Sequence, residues 1–298
     1  MNKKLKPSVV PLVSIGIPTC NRADLIEQTL QSAIRQDYPN LEIIISDNAS
    51  TDQTEEICSR LQKEYNNIIY IKHPSNMGAT DNFNFVLKQA KGQYFMWLGD
   101  DDWIDENYIS ECTSILEVEA SVAIVAGIPK YYYGDTYLYT GFVMNLENNS
   151  NTRRVRDYFA SVQHNGIFYG VMRTQVIQKK ELKNLMGGDL LTIASMVFTG
   201  KARTLESCNL HRRRGGSSSD GKSLAKSMAL PWLDQYFPRI SLAHNVLQHI
   251  VHDASFASLS FWQRYKLGLK CIFLAFYRKI QTILFKQKFA ERAGIPNR

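Results

Sequence analysis

Cysteine is scarce and ungrouped in this chain. The five cysteines stand at positions 20, 58, 112, 208 and 271, an odd number with no CxxC pair. That argues against a disulfide framework or a cysteine-built zinc site, and fits a reducing cytosol. Glycine and proline are modest, at 17 and 9 of 298 residues, while 44% of the chain is hydrophobic. A collagen, a low-complexity chain and a wholly disordered protein are excluded. Apolar runs are short, and none reaches the roughly 18 residues of a conventional transmembrane helix. The opening MNKKLKPSVVPLVSIGIPT superficially resembles a signal peptide. Pro7, Pro11 and Pro18 interrupt its apolar run and no small-residue cleavage site follows, so it reads as a short tail and then a strand. Walker A, GxGxxG, HExxH and GxSxG patterns are also missing. Their absence weighs against a P-loop NTPase, a Rossmann dehydrogenase, a zinc protease and a serine hydrolase.

Charge is present, but unevenly. The formal total is +7, which invites a nucleic-acid or anionic-membrane partner. Residues 1–130 hold 11 Lys and Arg against 18 Asp and Glu, whereas residues 131–298 hold 24 against 10. The last 48 residues alone carry +7. An acidic half is joined to a basic half, and the two are expected to face different partners.

Apolar, β-branched runs at 13–19, 41–46, 68–72 and 94–98 alternate with helical spacing three times, and a further strand is expected at 122–128. Asp24 and the Ser50-Thr51-Asp52 run are candidate helix caps. Continuous apolar strands with helical crossovers imply an α/β fold with a mostly parallel sheet covered on both faces. Ligands bind such sheets beyond the carboxyl ends of the strands. There stand Pro18-Thr19-Cys20-Asn21-Arg22, Asp47-Asn48, Asn76-Met77-Gly78 and Asp100-Asp101-Asp102. Three adjacent aspartates repel one another unless a cation neutralises them, and hard oxygens suit Mg²⁺ or Mn²⁺ shared with a substrate phosphate. A helix cap would need only one of them. Asp47 reads either as an acceptor for ribose or base hydrogen bonds or as a turn former with Asn48. The tyrosines at 131–139 read either as a sugar-stacking wall or as a partly exposed hairpin.

Together, VSIGIPTCNRADLIEQTL, IIISDNASTD and SNMGATDNFNFVLKQAKGQYFMWLGDDDW resemble the family 2 glycosyltransferases of GT-A fold. The likeness is strong over about 12–120 and weaker to about 220. The FMWLGDDDW version resembles the abequosyltransferase-like subgroup, which builds bacterial surface polysaccharides such as O-antigen and capsule. The resemblance implies a Rossmann-like GT-A sheet flanked by helices, and a sugar moved from a nucleotide-sugar donor (UDP first, with dTDP and CDP as alternatives) to a saccharide acceptor. It implies that Pro18, Thr19, Asn21 and Arg22 line the nucleotide pocket and that Asp47 binds the base. Asn76 and Gly78 would approach the nucleotide, with glycine at 78 because a side chain would crowd it. The family's Asp-x-Asp metal motif falls on Gly99-Asp100-Asp101. Gly99 thus replaces its first aspartate, Asp101 takes the metal place and Asp100 the ribose contact, while Asp102 is a second metal ligand or a helix cap. MGGDLLTIASMVFTGKA makes Asp189 the catalytic base of an inverting reaction; alone, Asp189 could equally cap the following helix. Asp157 and Glu181 lack a matching motif. In HRRRGGSSS, residues 211–219, Arg214 stands where a histidine is usual and His211 at a tyrosine place. Arg212, Arg213 and Arg214 read as a diphosphate grip or as a solvated basic loop.

Residues 256–289 interleave aromatic, apolar and basic side chains, with charge-free parts such as 271–277 far too short to span a membrane. That suits an interfacial helix on anionic lipid, or a helix packed on the domain with its basic residues outward. The expected organisation is a nucleotide-sugar half at 1–125, an acceptor and catalytic-base half at 126–250, and a basic helical tail at 251–298. The expected setting is cytoplasmic, peripheral on the inner face of the cell membrane, with a lipid-linked acceptor and no nucleic acid. A sugar nucleotidyltransferase and a non-catalytic anion- or nucleic-acid-binding module are the competing classes. The first would want a Gly-rich GxGxR-type loop after strand one, and the second leaves the aspartates unexplained.

Overall fold

Runs of Val and Ile become central parallel strands because only a sheet covered on both faces buries every side chain along them. In the computed structural model, which describes residues 10–162, 165–214 and 221–292, β1 (Val13–Thr19) is buried at all seven positions. It pairs in parallel with β2 (Leu41–Asp47) and β4 (Tyr94–Trp97), and β2 pairs with β3 (Ile68–Lys72). The crossovers are α1 (Ile26–Ile34), α2 (Thr54–Glu64) and α3 (Ala79–Gln89). Side chains alternate between the layers. Ile43, Ile45, Tyr94 and Met96 join the core on the α1–α2 side, while Ile44, Phe95 and Trp97 join the core on the α3 side.

The later chain extends the same sheet with mixed polarity. It supplies β5 (Trp103–Ile104), α4 (Tyr108–Val118), β6 (Val122–Tyr133), β7 (Thr136–Thr140), α5 (Asn151–Ser161), β8 (Val171–Arg173) and α6 (Thr174–Ile177). Then come α7 (Gly188–Thr199), β9 (Lys201–Arg213), α8 (Gly221–Ser227), α9 (Trp232–Tyr236), α10 (Pro238–His252) and α11 (Phe261–Arg292). The order is β3-β2-β1-β4-β8-β6-β9-β5, with β7 hairpinned onto β6. The expected α/β architecture, mostly parallel and flanked by helices, is what the chain forms. The boundary expected at 125/126 falls inside β6, and the sheet runs unbroken across it.

One local expectation changes, and two segments left with alternatives take a definite structure. Asp24 does not cap α1, whose N-cap Leu25 has no side-chain partner; Leu25 and Ile26 donate instead to the Arg22 carbonyl. The tyrosine-rich stretch is a hairpin turning at Gly134 (φ 55°), with Tyr131 buried and Tyr133 and Tyr137 exposed. The first part of α11 lies on the domain, with Leu267 and Cys271 buried against α5 and α10. No helix among the described residues is long and apolar enough to cross a membrane.

A buried histidine ties α10 to α7. His249 Nε2 lies 2.7 Å from Ser195 Oγ, and burial, opposed by nearby Asp253, holds its pKa down at about 4. A histidine kept neutral in the fold but free to protonate when unfolded stabilises fully above pH 6.5 and loses that contribution as pH falls through 4. Urea unfolding should therefore show stability falling between pH 6.5 and 4, with a flatter slope in His249→Gln. Equal slopes in both proteins would assign the acid loss to other groups.

Candidate active site

β4 delivers three aspartates to the carboxyl edge of the sheet, and each meets a different fate. Asp100 pairs with Arg22, from the loop after β1, at 3.4 Å. Burial, then the neighbouring Asp101 charge, pushes its carboxyl up to about 6 against the pull of Arg22. Asp102 is 1% exposed. Its carboxylate accepts from Arg212 Nε at 3.1 Å and from the Arg213 backbone N–H at 3.2 Å, and burial pushes it up to about 7 against Arg212. Sheet register makes this contact. Trp103 pairs with His211 across β5 and β9, so Asp102 stands opposite Arg212. Arg212 also lies over the Tyr169 ring at 4.3 Å. Among the described residues, no hydrogen bond or ion pair engages the half-buried Asp101 carboxylate. Gly99 permits the close turn, since a Cβ there would stand 2.9 Å from an Asp102 carboxylate oxygen.

Loops after β1, β2 and β3 are stitched into one rim. Asn21, at φ 53°, accepts from the Thr51 N–H at 2.8 Å, and its own N–H donates to Ser50 Oγ. Asn48 is the hub that sequence reasoning missed. It donates to Asn76 Oδ1 at 2.9 Å and to the Gly78 carbonyl at 3.2 Å, and accepts from the Met77 N–H at 2.8 Å. Its signal was only a polar residue following a buried strand. Pro18 and Thr19 close β1 beside this rim. Thr19 is buried, and its hydroxyl has no hydrogen-bond partner among the described residues. Gly78 sits at φ 88° with no protein atom within 4 Å of a built Cβ, so backbone conformation rather than packing calls for glycine.

Asp47 departs from the base-binding expectation. It has no exposed surface, and its oxygens accept from the Ser50 N–H at 2.8 Å and the Tyr70 hydroxyl at 2.6 Å. Here it anchors the rim from beneath rather than facing a ligand. Asp102 likewise departs from the metal-ligand expectation, because Arg212 and Arg213 already occupy its carboxylate. The arginine run departs from a shared diphosphate grip. Arg212 serves Asp102, while Arg213 lies over the Trp103 ring at 5.3 Å and donates to Gln28 at 2.6 Å. Arg214 alone is exposed, with its guanidinium donating to the Tyr139 hydroxyl at 2.7 Å. Gly216 to Ser219 lie outside the described residues.

Asp189 stands in the first turn of α7. It does not cap that helix, whose N-cap is Gly187 in the left-handed region (φ 80°) with no side-chain cap bond. Asn165 Nδ2 donates to Asp189 Oδ2 at 2.8 Å, and the Tyr158 hydroxyl donates to Asn165 Oδ1 at 2.8 Å. Asn165 was missed as well, although Asn-Gly at 165–166 is a turn signal. Asp102, Asp101 and Asp189 all raise the pKa of Tyr169, after burial and against Arg212, so all three carboxylates lie within electrostatic reach of one ring. Asp157 instead pairs with Arg153 on the surface of α5.

The donor set can be tested for a divalent cation. Among the described residues no three His, Cys, Asp or Glu side chains converge as a cage. One open carboxylate beside a second that its neighbour's charge destabilises fits Mg²⁺ or Mn²⁺ completed by substrate phosphate oxygens, not an all-protein site.

A family model described as glycosyl transferase family 2 matches residues 14–179, more than half of the chain. Over 203 residues, 65% of this chain and 62% of the relative, the chain is 38% identical to a Campylobacter jejuni GalNAc(5)-diNAcBac-PP-undecaprenol beta-1,3-glucosyltransferase. Over 130 residues, 44% of this chain and 50% of the relative, it is 37% identical to the Escherichia coli UDP-Glc:alpha-D-GlcNAc-diphosphoundecaprenol beta-1,3-glucosyltransferase WfaP. The chain thus spans under two thirds of either relative. Among solved structures, S. aureus TarS 1–349 in complex with UDP-GlcNAc superposes with a TM-score of 0.64 at 18% identity, covering 89% of this chain and 73% of that one. At that identity the likeness speaks to fold alone.

Removing one member of a buried ion pair strands the other charge, at a cost of about 3–5 kcal/mol, whereas removing both costs far less. Arg212→Leu should therefore lower unfolding free energy by about that amount, and Asp102→Leu/Arg212→Leu should recover most of it. Additive losses in the double-mutant cycle would contradict the pairing.

Proposed function

Because the chain belongs to glycosyl transferase family 2, we propose that it moves a sugar from a nucleotide-sugar donor to a saccharide acceptor carried on a lipid diphosphate, as a step in building a bacterial surface polysaccharide. The observation that supports this reading is an Asp101 carboxylate with no hydrogen bond or ion pair among the described residues and an Asn165-held Asp189, both within electrostatic reach of Tyr169. The rim formed by Asn21, Asn48, Asn76 and Gly78 receives the nucleotide, with Pro18, Thr19 and Arg22 at its floor. UDP is the first candidate carrier, supported by the UDP-Glc donor in the E. coli relative's name and the UDP-GlcNAc held by S. aureus TarS. The lipid diphosphate acceptor is supported by the undecaprenol acceptors named for both relatives. Acceptors of that kind would place the enzyme at the inner face of the cell membrane.

Asp101, with Asp100 beside it, would hold Mn²⁺ or Mg²⁺. The cation, when bound, supplies positive charge to the departing diphosphate. Arg22 restrains Asp100, and Arg212 cancels the Asp102 charge that would otherwise oppose the donor's phosphates. Exposed Arg214 is placed to add a forked cation to the diphosphate. Asn165 fixes one oxygen of Asp189 and leaves the other to take the proton from the acceptor hydroxyl. The freed oxygen attacks the anomeric carbon from the face opposite the leaving diphosphate, so the configuration inverts. The anion-binding alternative loses its main feature, since Arg212 and Arg213 are committed to Asp102, Trp103 and Gln28.

Binding and chemistry should separate. By calorimetry with Mn²⁺, Asp101→Asn should weaken UDP binding by about 100-fold, while Asp189→Asn leaves it within about twofold. Asp189→Asn should slow transfer by about 10²–10⁴. Loss of UDP affinity in Asp189→Asn would move that residue from the base role to the nucleotide pocket.

A further inference from the structure

Large apolar side chains normally leave the surface, yet α9 buries none of its residues. Trp232, Leu233, Tyr236, Phe237 and Ile240 are 43–66% exposed. Their spacing of i, i+1, i+4, i+5 and i+8 traces one stripe across α9 and into α10. A second stripe runs along α11, where Trp262, Leu269, Phe273 and Tyr277 are 46–67% exposed, opposite buried Leu267 and Cys271. The two helices run antiparallel. Arg264 reaches the Val251 carbonyl at 3.0 Å, and Gly268 faces Leu247. Continuing that register brings Phe237 and Ile240 toward the Phe273–Tyr277 end.

The surroundings are basic. Residues 221–277 hold six Lys and Arg against two Asp and Glu, and Lys226, Arg239, Lys266 and Lys270 are exposed. A symmetric contact between two copies would bring these like charges together. Aromatic residues among lysines suit the headgroup region of anionic lipid, where rings sit at the interface and cations meet phosphate. We infer that α9, the start of α10 and the outer face of α11 form one docking face for an anionic phospholipid bilayer. Leu230 and Ala225, which flank this face, pack on Met186, and Asn245 on α10 donates to the Met186 carbonyl at 3.1 Å. Met186 lies three residues before Asp189, so the docked plane adjoins the segment that carries the candidate base. Only this last step, delivery of a lipid-linked acceptor, rests on the proposed transfer. Vesicle binding needs no turnover, so either can fail alone.

The test is co-sedimentation of the full chain with phosphatidylglycerol/phosphatidylcholine vesicles and with phosphatidylcholine vesicles alone. Binding should require phosphatidylglycerol and weaken with salt. Trp232→Ser/Tyr236→Ser and Trp262→Ser/Phe273→Ser, all at exposed positions, should each weaken partitioning by about tenfold with an unchanged melting temperature. Wild-type protein that ignores phosphatidylglycerol, or variants that bind as tightly as wild type, would overturn the inference. So would a dimer in sedimentation equilibrium that the aromatic substitutions dissociate, which would assign the face to a second copy.

Discussion

Three consecutive carboxylates at the end of a buried strand repel one another. Two unit charges 4 Å apart interact by about 4 kcal/mol at the dielectric of a protein surface. The site is organised by how that repulsion is relieved. Arg22, from the loop after β1, takes Asp100, and Arg212, from the far end of β9, takes Asp102. The second pairing requires β9 to run beside β5, and hence the late part of the chain to return beside the triplet. Among the described residues Asp101 keeps no hydrogen bond or ion pair, and the proposed function gives this anionic position to a cation. The Asp102–Arg212 pair thus joins the acidic and basic halves, and the two pairs together decide which carboxylate is left unpaired.

Much of the parallel part of the sheet, β1 to β4, was legible in the sequence. Strand β1 begins and ends where its apolar run does, because a strand buried on both faces has few polar positions to blur its edges, and the half-buried edge strand β3 also matches its run. Polar residues just past those runs were correctly placed on the sheet's carboxyl edge. What the sequence left out were partners. Asp102 and Arg212 are 110 positions apart, and no spacing rule connects them. Asp47 looked like an open acid at a strand end; its burial depends on Tyr70 from the neighbouring strand. HRRRGG looked like an anion grip because Arg212 and Arg213 show no sign, in sequence, of the acidic and aromatic groups that strand pairing brings to them.

The net charge of +7 first suggested a polyanion-binding protein. Part of the basic excess is consumed internally, by Asp102, Asp135 and the ring of Trp103. Much of the remainder sits on the helical segment from α8 to α11, beside aromatic residues that the domain does not cover. Membership of glycosyl transferase family 2 gives these features a common direction. On the proposed function, the carboxylates after β4 serve the donor's phosphates and Asp189 serves the acceptor. The relatives match over part of their length, so the donor sugar, the linkage and the acceptor are this chain's own properties.

The central claim is that Asp101 and Asp189 stand on opposite faces of the transferred sugar. The most direct measurement is NMR of the product formed from a panel of α-linked nucleotide sugars and a short-chain lipid-diphosphate saccharide with Mn²⁺. A new glycosidic bond of inverted, β configuration is the predicted result. A retained α configuration, or transfer of the nucleotidyl group in place of the sugar, would contradict it.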